Sequence, residues 1–488
     1  MSNFKSGEFV LESCTIINSE KDTIDFSADV VAGIRLYESI FSKFVTGDMS
    51  LLDGLNVLKN FKFTGQESLT IRMKQKEGVK ETSAKEFSIE KTFRIYKAIN
   101  IQKPLNQTQT YMLNFCDPRM FSALTTKVNE VLRGSYTDML YKICQDPKGV
   151  NIKPNEIDAW EDTSPEKLQF ISPNWSARRL INYIVQEADT GNTSSSWKNG
   201  MFFFQTLNGG FRFSSIDTML KMEFPLIFSY QPRNSDLSTK DKDINDFDGL
   251  NTQILHVEKP QQFDTLKGSG AGAYASSMRV YDPIRKLESD MVYDIDETFK
   301  RGDHISGFPM IRTDNDSNPY EEIVRTADVI TDNHVPPASK DFTVDLAPNK
   351  AFESLVLTGY TSNHDFDNSE SIEEDGAFIG NVIKDNAPLE RIGLLETLEQ
   401  NRIVVTIPLR TDLTVGQIIR LNIPESESQH DGAVVKDVVN DNRYLIVKLT
   451  IDADPIKFRG VCNLECVKES YAKDIRTAVQ TKAVPQET

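Results

Sequence analysis

The sequence of 488 residues has no apolar run that approaches the roughly 20 residues needed to cross a lipid bilayer, so we expect no membrane insertion. The first five residues also lack the apolar segment of a Sec signal peptide. Cysteine is scarce and odd in number, which fits a reducing compartment and argues against a disulfide framework. The five cysteines are Cys14, Cys116, Cys144, Cys462 and Cys466.

The sequence contains fewer basic than acidic residues. The 55 Lys and Arg residues stand against 72 Asp and Glu residues, which gives a formal net charge of −17. Sequence-independent binding to nucleic acid depends on clustered basic residues that release counterions from the phosphates. A chain this acidic should repel nucleic acid, although many proteins are acidic simply for solubility.

Complete catalytic and metal-binding motifs are missing as well. The five histidines are scattered singly, without an H-E-x-x-H or a G-x-S-x-G motif. Residues 268–273 formally fit the dinucleotide fingerprint G-x-G-x-x-A, but a polar segment precedes them where a strand is needed, so we predict a flexible loop. Segments 241–245 and 314–318 begin like EF-hand loops but lack the glycine at position six and the glutamate at position twelve.

Cys462 and Cys466 have no nearby histidine or second cysteine pair to complete a zinc site. Both should pack as small apolar side chains. The sequence therefore predicts no enzyme, no catalytic residue, no cofactor and no metal ligand.

What the sequence does contain is alternation of apolar and polar residues, the period of two that is typical of β-strands. Alternating segments lie at 24–30, 69–73, 93–101 and 111–115, and the rhythm returns at 403–409, 419–423 and 445–451. Gly416 is a turn glycine that leads into one of the later strands. We expect two copies of one small β-domain, each a sandwich or barrel.

Helical spacing replaces this alternation between the two β-blocks. Residues 119–145 have apolar residues at helical intervals, and Ser135 and Asp138 form a capping-box pattern. A second helix is predicted over 175–188, followed by a hairpin around an Asn-Gly-Gly turn at 208–210. Residues 231–250 are predicted to form a loop, 260–385 a loop-rich insertion, and 471–488 a mobile tail.

Three motifs of the first β-block resemble the opening domain of the baseplate hub subunit of contractile-tailed, T-even-type bacteriophages: YESIF at 37–41, GDMSLLD at 47–53 and GQESLTI at 65–71. Further short correspondences follow in the family's order. They lie at 94–96, 139–140, 145–146, 175–188, 202–204, 213, 254–266, 413–421, 433–439 and 444–451. The hub part of type VI secretion spike proteins is related to this family.

The resemblance implies an α+β, mainly β fold, with two tail-tube-like antiparallel β-barrel domains, an α+β module and an inserted domain. The corresponding boundaries are 1–116 for the first barrel, 117–220 for the module, 221–259 with 386–470 for the second barrel, 260–385 for the insertion, and 471–488 for the tail. It also implies a homotrimer in the tail baseplate of the virion, assembled in the host cytoplasm. Three chains would present six similar barrels, which would match a three-fold central spike to a six-fold tail tube.

The partners implied are the chain itself, the central spike protein, tail tube or tube-initiator proteins, and also tape measure and baseplate wedge proteins. DNA would pass through the channel during ejection without being specifically bound, and an acidic lumen would keep it from adhering. The tube-facing interface is predicted to include Gly47, Asp53, Gly65, Glu67 and Gly416.

Two alternatives remain at the level of sequence. One is a tail-associated cell-wall-degrading or carbohydrate-binding protein, for which the only unassigned space is 260–385. The other is a type VI spike protein, but those proteins continue into a β-helical needle that the sequence up to residue 488 does not contain.

Overall fold

The computed structural model describes residues 6–75, 88–105, 108–164, 168–191, 195, 197–230, 252–282, 287–309, 355–357, 387–423 and 442–471. The predicted loop 231–250, both EF-hand-like segments, most of the predicted insertion, segment 433–439 and residues 472–488 lie outside this part of the chain. No helix in the described part is long and apolar enough to cross a membrane.

The strands up to residue 230 are β1 Phe9–Ile17, β2 Thr23–Asp25, β3 Val31–Ser39, β4 Thr46–Asp53, β5 Ser68–Gln75, β6 Ser88–Leu105, β7 Thr108–Cys116, β8 Lys127–Val128, β9 Val131–Gly134, β10 Ile157–Trp160, β11 Leu168–Ile171, β12 Trp175–Ser176, β13 Met201–Gln205, β14 Phe211–Ser215 and β15 Glu223–Tyr230. The later strands are β16 Gln253–Ile254, β17 His256–Gln261, β18 Ala275–Asp282, β19 Leu287–Asp294, β20 Phe308–Pro309, β21 Leu355–Leu357, β22 Asn401–Pro408, β23 Ile418–Asn422, β24 Arg443–Asp454, β25 Arg459–Lys468 and β26 Ser470–Tyr471. The helices are α1 Val57–Asn60, α2 Pro118–Thr125, α3 Tyr136–Gln145, α4 Ala177–Glu187, α5 Ile216–Leu220, α6 Thr265–Ala271, α7 Ile295–Phe299 and α8 Ala387–Gln400.

Six antiparallel strands form ring 1 in the order β3-β4-β7-β6-β5-β1, with β2 added beside β1. Inward residues alternate with outward ones, so that Leu69, Ile71 and Met73 of β5 are buried, as the period of two predicts. The prediction of a strand at 24–30 is largely wrong, because β2 ends at Asp25 and a turn follows. Each fully buried large apolar side chain contributes about 1.5–3 kcal/mol to folding.

Ring 2 has the order β15-β23-β24-β25-β22-β17, and it closes because β16 pairs with β15 while the adjoining β17 pairs with β22. Only Leu255 separates β16 from β17, and its N–H donates to the Thr406 carbonyl at 2.8 Å. Antiparallel pairing dominates, as predicted. The exception is β15, which is parallel to both of its neighbours, β16 and β23.

The two rings share strands. β24 pairs with β3 over six residue pairs, from Lys448 opposite Ser39 to Ala453 opposite Ile34, and so joins both rings in one sheet. The tip of the β24–β25 hairpin also meets the start of β1, where Gly460 N donates to the Gly7 carbonyl at 2.9 Å. Ring 1 is therefore closed by a hairpin that belongs to ring 2.

The segment between the rings, called here the module, has its own core, in which α2, α3 and α4 pack with the sheet β10-β14-β13. The predicted capping box is confirmed, since the Ser135 hydroxyl accepts from the Asp138 N–H and the Asp138 carboxylate accepts from the Ser135 N–H. The predicted helix over 175–188 and the hairpin at 201–213 are confirmed as well.

Two local predictions are wrong. The helical interpretation of 119–145 fails between residues 127 and 134, where β8 and β9 pair with β12 and β11, so that tertiary pairing overrides the local spacing. The predicted flexible loop at 268–273 is instead helical up to Ala271: Gly268 and Gly270 lie in α6, and Gly272 follows the helix with a φ of +80°. Gly268 is used there because a Cβ would lie 2.6 Å from the Tyr274 hydroxyl.

Candidate assembly site

Strand β24 changes its partner where the two rings meet. It pairs with β23 up to Leu445 and with β3 from Lys448 onward. At the change, the Ile446 carbonyl accepts from the Gly416 N–H at 2.9 Å, and the Ile446 N–H donates to the Gln417 carbonyl at 2.9 Å. We call this place the branch point, because one strand enters both rings there.

Gly416, which the sequence predicts as an interface residue, lies at the branch point. Its φ of +82° is in the left-handed region that glycine adopts without strain. A Cβ at this position would lie 3.0 Å from Met219 Sδ and 3.2 Å from the Phe204 ring. Both neighbours belong to the module, so a small residue is needed where ring 1, ring 2 and the module converge.

The side chain of Glu38 joins the same three units. It is 2% exposed and accepts hydrogen bonds from the N–H groups of Leu207 in the module, at 2.5 Å, and Val415 in ring 2, at 3.3 Å. Burial raises the pKa of Glu38 to about 7, although the two backbone donors and the charges of Lys91 and Arg212 lower it. The carboxyl group therefore titrates near neutral pH.

Asp117 attaches the module to ring 1. Its buried carboxylate accepts from Gln205 Nε2 at 2.6 Å and from Arg119 Nη1 at 3.2 Å. The same glutamine accepts from the Val45 N–H through its Oε1 at 3.0 Å, and Arg119 also pairs with Glu156. The polar groups of this contact are satisfied, which is the condition for burying them without a large penalty.

A cavity of about 620 Å³ lies between ring 1 and the module. Its walls include Lys91, Arg119, Glu156 and the glycines at 209–210, and they contain neither histidine nor cysteine. Lys91 Nζ donates to the Thr206 carbonyl at 3.1 Å, and burial lowers its pKa. The walls thus combine both signs of charge.

The remaining four predicted interface residues have roles within ring 1. Gly47 packs against the Phe115 ring, and Gly65 has a φ of +84°. The fully buried Glu67 accepts from the Gly65 N–H at 2.9 Å, and the buried Asp53 accepts from a glutamine of β7 at 2.8 Å. These four residues stabilise the ends of strands in ring 1. Their predicted position facing a tail tube stays a prediction.

All five cysteines are free and buried, and burial raises the pKa of every one of their thiols. Cys462 and Cys466 pack into the core from β25, as predicted. The described part contains two histidines. His304 Nδ1 lies 3.3 Å from Glu469 Oε1, and His256 is exposed. Within that part no group of three or more His, Cys, Asp and Glu could hold a metal ion.

No family model matches the sequence, and no curated protein matches it. Solved structures that are similar to the chain include phage and prophage tail proteins and type VI secretion proteins.

A tail protein from Neisseria meningitidis MC58 is 8% identical with a TM-score of 0.48, over 95% of this chain and 97% of that one. The 43 kDa tail protein of prophage MuSo2 from Shewanella oneidensis is 8% identical with a TM-score of 0.48, over 95% and 98%. The E. coli c3393 protein, a type VI secretion component with structural similarity to T4 tail proteins gp27 and gp5, is 8% identical with a TM-score of 0.41, over 91% and 76%. At such values no residue role passes from those proteins to this chain.

Proposed function

We propose that the chain is a structural virion protein, the trimeric baseplate hub of a contractile tail. The observation that carries the proposal is the pair of six-stranded rings joined through β24 within one chain. A closed trimer repeats one heterologous contact around a three-fold axis. Two rings per chain would then give six rings, the number that a six-fold tube requires above a three-fold spike.

The branch point supports this proposal in a second way. An adaptor must hold its two rings at a fixed angle, because a change of angle would break the match to six-fold symmetry. Here the rings are joined by main-chain pairing and by Glu38, which accepts from both the module and ring 2. The proposed partners are the central spike protein, the tail tube or its initiator, and tape measure and wedge proteins, with DNA passing without specific binding.

The test is the oligomeric state of the purified chain, measured by sedimentation velocity at micromolar concentration and followed by averaging of electron micrographs. We expect a trimer with six lobes around a central opening. A stable monomer, alone and in the presence of the spike protein, would contradict the proposal. Hydrolysis of peptidoglycan by the purified chain would also contradict it, since it would favour the cell-wall-degrading alternative.

A further inference from the structure

A short segment after α7 is fastened to the end of ring 2. We call this segment, residues 304–309, the strap. Its last two residues form β20, which pairs with β26 just after β25, the last strand of ring 2 in chain order. The N–H groups of Ile305 and Ser306 donate to Glu469 Oε1 and Ser470 Oγ, both at 2.7 Å. The strap is therefore held by a carboxylate and a hydroxyl that follow ring 2.

The side chain of His304 is buried in this contact. It is 6% exposed, and the side chain of Glu469 is 3% exposed. The imidazole stacks on the Phe299 ring, with 3.7 Å between the ring centres and an angle of 13° between the planes. Its Nε2 lies 2.9 Å from the Phe299 carbonyl oxygen, and its Nδ1 lies 3.3 Å from Glu469 Oε1. Both ring nitrogens thus face oxygen acceptors.

These two contacts determine how many protons the histidine needs. A neutral imidazole has one N–H, and its other nitrogen is an acceptor. With the proton on Nε2, the lone pair of Nδ1 points at the Glu469 carboxylate, and with the proton on Nδ1, the lone pair of Nε2 points at the Phe299 carbonyl. Only the imidazolium donates to both oxygens. A proton on the Glu469 carboxyl group would serve equally, so in either form the contact holds one extra proton.

Buried negative charge on a neighbouring element favours that proton. Asp217 of α5 is buried, and its Oδ1 has no hydrogen-bond partner among the described residues. Burial raises the pKa of Asp217, whereas the Ser195 hydroxyl and the positive charge of His304 lower it. The other charged groups around the strap are Lys221, paired with Asp303 at 2.9 Å, Arg301, paired with Glu390 at 2.6 Å, and Arg443, whose Nη1 donates to the Ile305 carbonyl at 2.9 Å. Each of these three cations has its own acceptor.

We propose that His304 is a proton-dependent clasp, which fastens the strap to ring 2 while both ring nitrogens carry a proton and releases it as rising pH removes one of them. Without that proton, a lone pair faces the carboxylate that also accepts from Ile305, and this repulsion weakens the fastening. The fastened state binds one proton more than the released state, so fastening weakens as the pH rises. The clasp lies within one chain and does not depend on the proposed trimer.

Hydrogen exchange measures release at the strap itself. We would follow the amides of Ile305 and Ser306 in the full chain by mass spectrometry from pH 5.5 to 8.5, a range that includes the ordinary titration of histidine at about pH 6.5. Each rate is divided by the intrinsic exchange rate at the same pH, which gives a protection factor. In the wild type we expect protection to fall about tenfold or more from pH 6 to pH 8. His304→Gln removes the titrating group, so its protection should not fall in this way.

Two further variants separate the clasp from a merely structural role. His256, the other histidine in the described part, is exposed, so His256→Gln should repeat the wild-type curve. Glu469→Gln keeps an acceptor for the Ile305 N–H but removes the charge that the imidazolium faces, so protection should persist and vary little with pH. The amides of β24 should stay protected in every variant, which checks that each one folds.

Nitrogen NMR of the chain labelled in its histidine rings gives an independent measurement, with His304→Gln to assign the signals. We expect His304 to lose a proton over the same pH range in which protection of the strap falls. Protection that is equal at pH 6 and pH 8 in the wild type would overturn the clasp. An equal fall in the wild type and in His304→Gln would assign the effect to another group and overturn it too. Loss of the His304 proton with no change at the strap would have the same consequence.

Discussion

The two rings reach similar closed shapes by different routes. The six strands of ring 1 all come from residues 9–116, and every described pairing among them is antiparallel. Ring 2 is assembled from two distant pieces, 223–261 and 401–468, and its strand β15 lies parallel to both neighbours. Parallel neighbours need a long crossover connection. Ring 2 therefore accommodates a large intervening segment between its two pieces, whereas the strands of ring 1 come from one part of the chain.

The rings also differ in what surrounds their glycines, and substitution of these glycines should change the free energy of unfolding most. In ring 1 a Cβ on Gly47 would contact the Phe115 ring and lie 2.5 Å from the Arg35 carbonyl oxygen, which belongs to the main chain and cannot yield. We expect Gly47→Ala to destabilise the protein by about 4 kcal/mol in urea unfolding. In ring 2, Gly460→Ala serves as the matched comparison, since its closest neighbour is the end of the Leu409 side chain. A loss of about 1–2 kcal/mol is expected there, and equal losses in both variants would contradict this distinction.

Removal of the Glu38 carboxylate tests whether the two rings unfold as one unit. Glu38→Ala removes the acceptor of two buried N–H groups, one in the module and one in ring 2, and should cost about 3–4 kcal/mol. Thiol-labelling rates of Cys14 in ring 1 and Cys462 in ring 2 should rise together, because both rings depend on the branch point. Acceleration at only one of these cysteines would show that the rings open independently. Glu38→Gln retains one acceptor and should lose less stability.

Titration of Glu38 gives a smaller effect, which depends on pH. Its pKa is raised from 4.5 to about 7 in the folded protein, so the folded state binds more protons than the unfolded state between these values. The contribution of Glu38 to the free energy of unfolding is fully present below pH 4.5. It is lost as the pH rises towards 7, by at most about 3 kcal/mol. Urea unfolding from pH 4.5 to 7.5 should show this decline in the wild type relative to Glu38→Gln. Parallel pH profiles for the two proteins would contradict the assignment.

A substitution in the β24–β25 hairpin, which contributes to both rings, should change the free energy of unfolding least. Phe458 near its tip has a φ of +53° and a side chain that is 52% exposed, an unfavourable conformation for a large side chain. We expect Phe458→Asn to raise stability by about 0.5–1 kcal/mol in urea unfolding, because Asn tolerates the left-handed region. A loss of stability would show instead that the Phe458 ring contributes packing between the rings.

Sequence patterns were informative where local signals and tertiary structure agree. The alternation in β5, β7 and β22 predicts the inward residues of both rings, and Ser135 predicts the start of α3. The strands β8 and β9 could not be predicted from spacing, since their partners lie about 40 residues later in the chain. Pairing of β24 with β3 is likewise invisible to local patterns.

The candidate site was predicted only in part. The sequence predicts a role for Gly416 but none for Glu38. A signal for Glu38 does exist, because it stands in the inward register of an alternating strand, between buried Leu36 and Ile40.

The shared hairpin has a consequence for the order of synthesis. The strands of ring 1 are complete at residue 116, yet the start of β1 receives its partner from Phe458 and Gly460. At about 5–20 residues per second, the ribosome needs on the order of 20–70 s to make the intervening roughly 350 residues. During that interval the edges of β1 and β3 have no partner from β24 or β25, and open strand edges invite pairing with other chains. The amino-terminal ring is thus finished only when the carboxyl-terminal hairpin emerges.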